Sequence, residues 1–189
     1  MAHSPRKVAV VVGSLRKDSL NRKLALALQS MAPDGLALEI AEIGALPLYN
    51  QDDDAAPPPP SVAFKQRIEA AEAVIFVTPE YNRSVPGVLK NAIDIASRPY
   101  GKSAWSRKPA LVITLSPGAV GGFGANHHLR QMLVFLDMPT LQQPEAYLGG
   151  AGDLFDDAGQ IKKPETKQFV EKIMAAFAQW VDKTAKQRP

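Results

Sequence analysis

Three apolar runs in this chain end in the same way. Val74-Ile75-Phe76-Val77 stops abruptly in Thr78-Pro79-Glu80-Tyr81-Asn82. Val8 to Val12 runs into Gly13-Ser14-Leu15-Arg16, and Leu111 to Leu115 runs into Ser116-Pro117-Gly118. Near-continuous apolar runs of this kind suit parallel strands covered on both faces, not half-exposed ones. In an open α/β sheet the carboxyl ends of such strands are where ligands bind. A carboxylate, a phenol, an amide and several small residues placed there read as a site built on three strand ends.

The rest of the chain alternates strand with helix. A further strand is expected at Leu36–Ile40 and a shorter one near Thr140–Leu141. Leu20, Leu24, Leu28 and Met31 form one helical stripe, ended by Pro33 and Gly35. Phe64, Ile68 and Ala71 form another after the Pro57–Pro60 run, and Val88, Ile93 and Ile95 follow Pro86. The last helix carries Phe169, Ile173, Phe177, Trp180 and Val181 at the spacing of a buried face. Five strands alternating with five helices predict an α/β fold, a three-layer, doubly wound, five-stranded parallel sheet. The short first crossover fits a flavodoxin-like order, 2-1-3-4-5. Residues 1–189 read as a single domain with no internal repeat, and Asp52–Pro60 as a stiff, solvated connection.

Composition narrows the function. A chain of 189 residues, 46 % hydrophobic, can bury a real core. The net charge of +3 comes from scattered basic residues, which argues against a nucleic-acid partner but suits a small anion. Cysteine is absent, so thiol redox chemistry and thiolate metal sites are excluded, and any redox function must come from a bound cofactor. No run of about 18 apolar residues marks a membrane span. The short stretch before the first strand does not read as a secretory signal, so a cytoplasmic protein is expected.

The loop Gly13 to Asn21 joins the first strand to the first helix. A helix N-terminus offers unpaired N–H groups and the positive end of a dipole, and together these favour an anion. Ser14, Ser19 and Asn21 add neutral donors and Arg16 a charged fork. Ser19 can also be a plain N-cap. Three residues on stands Arg22, where a capping box wants an acid, so the helix end stays open to a foreign anion. The loop is neither a Walker loop nor a dinucleotide fingerprint.

Taken together, the loops resemble the NADPH-dependent FMN reductase family of flavodoxin-like proteins, and within it the bacterial quinone and chromate reductases. The resemblance rests on GSLRKDSLN at 13–21, TPEYNRSVPGVLKNAID at 78–94, SPGAVGG at 116–122 and HLRQMLVFLDM at 128–138. It implies FMN as cofactor, with NADPH or NADH as co-substrate. It implies that Ser14, Arg16, Ser19 and Asn21 hold the FMN phosphate and that Gly13 also belongs to the cofactor site. Pro79, Glu80, Tyr81 and Asn82 would then line the isoalloxazine ring on one side, and Ser116 and Gly118 on the other. A planar ring needs close backbone approach and an apolar wall, which Pro, Gly and a tyrosine face supply. The expected activity is an NAD(P)H oxidoreductase in which hydride passes from nicotinamide to flavin N5 and on to a quinone, azo compound, chromate or similar acceptor. No catalytic side chain and no metal is expected. A non-enzymatic electron carrier and a regulatory binding module are the alternatives on the same fold. Flavodoxin-type carriers tend to present strongly acidic faces, whereas this chain is net basic.

Other features carry less. His127 and His128 are neighbours on a helix and point about 100° apart, so they cannot readily share a metal. They read as surface or interface residues. Gly121-Gly122-Phe123-Gly124 reads as flexible backbone beside the flavin, and Glu80 as a proton donor or a structural carboxylate. Leu129, Met132, Leu133 and Leu136 make one stripe, while Val134 and Phe135 lie off it. A helix apolar on two sides is covered twice, either by a loop of the same chain or by a second subunit, and a second subunit is the expected cover, giving a homodimer or homotetramer.

Overall fold

A computed structural model describes residues 4–185. The strands are β1 (Arg6–Val12), β2 (Leu36–Ala41), β3 (Ala73–Thr78), β4 (Ala110–Leu115) and β5 (Ala146–Leu148). The helices are α1 (Leu20–Ser30), α2 (Pro59–Ala70), α3 (Gly87–Ser97), α4 (Phe123–Phe135) and α5 (Pro164–Ala185). All strands are parallel and lie in the order β2-β1-β3-β4-β5. This is the flavodoxin-like arrangement expected from the apolar runs.

Alternation along each strand divides the core in two. Val8, Val10 and Val12 of β1, with Ile75 and Val77 of β3, face α1 and α5, where Leu24, Leu28, Ile173 and Phe177 are buried. Ala9 and Val11, with Val74 and Phe76, face α2, α3 and α4. Every residue of β3 and β4 is buried, which is why those runs show no polar alternation. Trp105 closes the second layer against Phe76, with its indole N–H donated to the Ile93 carbonyl at 2.9 Å.

Two expectations need correction. The fifth strand is Ala146–Leu148, not Thr140–Leu141. Thr140 makes only an isolated bridge to Ala110. The two-residue segment there is followed by Gln142-Gln143-Pro144, and Pro144 has no N–H to continue a ladder. Pairing with β4 resumes beyond it, at Ala146 opposite Ile113. The Asp52–Pro60 connection is also more ordered than a solvated linker. Gln51–Ala55 is a 3₁₀ turn capped by Asn50, whose side chain accepts from Asp52 N–H at 3.2 Å, and Pro59 already belongs to α2.

The order of strands locates the site. From β1 the chain turns to β2 on one side and later returns to β3 on the other, so the loops after β1 and β3 diverge at a topological switch point. β4 lies beside β3, so its loop flanks the same crevice.

Candidate functional site

The first loop leaves β1 at Gly13, whose N–H donates to the Val77 carbonyl at 2.9 Å. A side chain here would collide with the neighbouring strand, because an ideal Cβ lies 2.3 Å from Thr78 Oγ1. Glycine is therefore required for the backbone to pass so close to β3. Ser19 caps α1, its hydroxyl accepting from Arg22 N–H at 3.2 Å. That leaves the N–H groups of Leu20 and Asn21 without an acceptor among the described residues, at a helix end with no acidic residue in its first turn. Asn21 is only 5 % exposed, yet its Oδ1 has no partner. Turned over, the same amide presents its NH₂ group to an anion. Arg22 is committed elsewhere, bidentate to Glu42 at 2.7 and 3.1 Å, a pairing that raises its pKa further. Arg16 is exposed and makes no ion pair with any described residue. The unclaimed cation, the two free N–H groups and the orphaned buried amide fit a phosphate.

The second loop is a tight hairpin. Tyr81 and Ser84 exchange backbone bonds at 2.9 and 3.0 Å, around Asn82 and Arg83 with φ of 51° and 64°. Two successive left-handed residues define a type I′ turn. Tyr81 is 49 % exposed, a large ring left open to solvent at the strand end. Glu80, in contrast, turns toward α4. Its Oε2 accepts from Ala125 N–H at 2.9 Å, at the third position of a helix whose N-cap, Gly122, has no side chain to offer. Of the two sequence readings of Glu80, the structural one describes its carboxylate.

The third loop runs from Ser116 to Gly122. Ser116 Oγ accepts from Gly118 N–H at 3.1 Å, closing a small turn. Gly121 and Gly122 are buried and left-handed, with φ of 66° and 81°. They are packed, not flexible: an ideal Cβ on Gly121 would stand 2.7 Å from the Tyr147 carbonyl carbon. Gly122 meets Thr114 of β4 and the Glu80 side chain. Residues 13, 78, 80 and 122 thus join the loops in one continuous surface.

The histidines do point apart. His127 Nε2 pairs with the Tyr147 hydroxyl at 3.2 Å, whereas His128 Nδ1 meets Ser84 Oγ at 2.6 Å. Burial and the Glu145 carboxylate push the Tyr147 phenol up to about 12, so it stays protonated and hydrogen-bonding near neutral pH. Among the described residues no three His, Asp or Glu side chains gather as a metal site. No described helix is long and apolar enough to cross a membrane.

A cavity of about 280 Å³ lies on another flank, between Pro47, Tyr49, Pro58, Lys65, Ile95 and Pro99, with none of the three loops in its wall. Its polar groups are largely spent on one another: Lys65 Nζ donates to the Arg98 carbonyl at 2.6 Å, and the Tyr49 hydroxyl donates to Asp54. Arg98 Nε in its wall is buried without a partner among the described residues, but the cavity brings together none of the strand-end groups. Sequence reasoning set Thr78 at the strand end, Gly122 in flexible backbone beside the flavin and His128 at the surface or an interface, and missed the contacts that Thr78, Ser84, Gly122 and His128 make. Ser84 stood inside the quoted 78–94 stretch, but its partner lies 44 residues away.

Residues 6–153 match the model of a family described as NADPH-dependent FMN reductase. A quinone reductase of Pseudomonas putida is 62 % identical over 175 residues, covering 92 % of this chain and 94 % of that protein. A 2-hydroxy-1,4-benzoquinone reductase of a Burkholderia species is 47 % identical over 175 residues, covering 93 % of this chain and 96 % of that protein. Among solved structures, the flavoenzyme NAD(P)H:(acceptor) oxidoreductase FerB of Paracoccus denitrificans superposes with a TM-score of 0.90. It is 43 % identical, with 95 % of this chain and 98 % of that one covered. The chain belongs to the NADPH-dependent FMN reductase family, oxidoreductases that work with FMN and a nicotinamide nucleotide.

The capping role of Glu80 has a direct check. Glu80→Ala removes the acceptor for Ala125 N–H and is expected to lower stability by about 1–2 kcal/mol. Glu80→Gln keeps an oxygen there and is expected to lose less than half as much. Urea unfolding of both variants measures the difference, and equal losses would show that the carboxylate does not cap α4.

Proposed function

We propose that the protein is a cytoplasmic, single-domain FMN-dependent NAD(P)H:quinone oxidoreductase, with the flavin seated on the three strand-end loops. The observation that carries this reading is the α1 N-terminus at the switch point, with two free N–H groups, an orphaned Asn21 amide and an unpaired Arg16 beside it. Gly13, Ser14, Arg16, Ser19 and Asn21 hold the phosphate. Backbone at Pro79 and Glu80, the Tyr81 ring and Asn82 wall the flavin ring on one side, and Ser116 and Gly118 on the other. When bound there, FMN supplies hydride acceptance from NADH or NADPH and its delivery to an acceptor. The side chains bind, orient and exclude; none acts as a nucleophile or an obligatory acid. The names of the relatives favour quinones as acceptors, and chromate and azo compounds are further acceptors open to the same exposed site.

We also propose a homodimer or homotetramer. Leu129 and Leu133 of α4 are fully buried against the sheet. Val134 and Phe135 are 77 % and 80 % exposed, and no described segment of the chain covers them. A second subunit covers this apolar end, and its Tyr49, Asn50 and acidic turn complete the open side of the neighbouring flavin site.

Two measurements test these readings. FMN titration of the stripped protein is expected to give one flavin per chain, and Arg16→Ala to weaken binding about ten- to a hundredfold, the worth of a charged hydrogen bond. Absence of flavin uptake overturns the function; unchanged affinity removes Arg16 from the site. Light scattering at micromolar concentration is expected to give at least a dimer mass, and a clean monomer would end the assembly proposal.

A further inference from the structure

The hairpin that walls the proposed flavin site is held internally by very little. Two backbone hydrogen bonds and a long ion pair from Arg83 to Glu80 at 3.8 Å, open to solvent on the Arg83 side, span it, and its tip places two residues with side chains, Asn82 and Arg83, in the left-handed region. An isolated pair of bridged residues does not hold such a turn alone. Its order must come from what it rests on, and that is the first turn and a half of α4. The Arg83 carbonyl lies over Gly124, where an ideal Cβ would approach it to 3.1 Å. Glu80, before the turn, accepts from Ala125 N–H at 2.9 Å. Ser84, after the turn, meets His128 Nδ1 at 2.6 Å. Residues 80 and 84 flank the turn, and residues 125 and 128 are one helical turn apart, so the two bonds fasten both legs of the hairpin to one face of α4.

We infer that the Ser84–His128 bond is the second half of a staple that fixes the Tyr81–Ser84 hairpin in its flavin-binding geometry. His128 is thereby a positioning residue for the cofactor site. The inference rests on the flavin reading given above and assigns a task to Ser84 and His128, two residues to which that reading gave none. A hydroxyl both donates and accepts, so Ser84 satisfies Nδ1 in either neutral tautomer of the imidazole. The bond is solvent-exposed, and its worth lies in restricting the hairpin, so a moderate effect is expected. His127 takes no part, because its ring is turned to Tyr147.

The test uses the full chain with His128→Ala, His128→Asn, His128→Gln, Ser84→Ala and the Ser84→Ala/His128→Ala pair. An asparagine amide carries a polar atom one bond beyond Cγ, where Nδ1 sits, whereas glutamine carries its amide one carbon further out. FMN affinity is expected to fall about two- to tenfold in His128→Ala, His128→Gln and Ser84→Ala, and to return close to the parent value in His128→Asn. Alanine is the better helix former, so this order runs opposite to helix propensity and is not a matter of α4 stability. The double variant is expected to lose no more than either single one, because both remove the same bond. Without flavin, amide exchange at Tyr81 and Ser84 is expected to quicken in the alanine variants and not in His128→Asn. Parent-like FMN affinity and exchange in the alanine variants, equal losses in Asn and Ala, or additive losses in the double variant would overturn the staple. A parent protein that takes up no FMN would instead overturn the flavin reading, and the exchange measurement on the flavin-free chain would still judge the staple.

Discussion

The parallel pairing of β1 with β3 is the contact on which the rest of this molecule depends. It draws together two strands that are separated in sequence by β2 and α2, and it requires Gly13, because the end of β1 runs directly against Thr78. With β2 on one side of β1 and β3 on the other, the loops that follow β1 and β3 part from each other and leave a crevice. Both faces of the sheet are occupied by helices, so polar functional groups are excluded from the layers and collect at the sheet's carboxyl edge. Every other property of the site follows from that exclusion.

What gathers there is mostly backbone geometry. The α1 terminus offers N–H groups because Ser19 satisfies only the third of them. The loop after β3 turns back within two residues, and the loop after β4 is compressed by paired glycines against β5. Such an arrangement suits a reaction whose chemistry resides in a planar cofactor: in the proposed site it would grip an anionic tail, present flat walls to a ring and leave one face for exchange of nicotinamide and acceptor. The exposed apolar end of α4 at Val134 and Phe135 is the place proposed for a second subunit.

The core strands were legible because burial on both faces writes them as unbroken apolar runs, and the helices because their apolar residues recur with the helical period. β5 was not, since three residues beyond Pro144 carry too little pattern to outweigh the Thr140–Leu141 pair. The loop proposed to bind the phosphate was legible as a motif because its groups are contiguous, from Gly13 to Asn21. The support of the hairpin was not: Glu80 and Ala125 are 45 residues apart, and Ser84 and His128 are 44 apart. Glycine pairs misled for a related reason. Gly121-Gly122 reads as freedom in a sequence, whereas here the left-handed backbone and the closeness of Tyr147 and Thr114 demand it.

The central claim is that this sheet edge holds FMN between a nicotinamide donor and a quinone. It is tested most directly by following the visible flavin band of the FMN-loaded protein under anaerobic conditions. Addition of NADPH or NADH is predicted to bleach the band, and a subsequent equivalent of benzoquinone to restore it. A band that persists with both nucleotides, or that bleaches and is not restored by the quinone, would contradict the account.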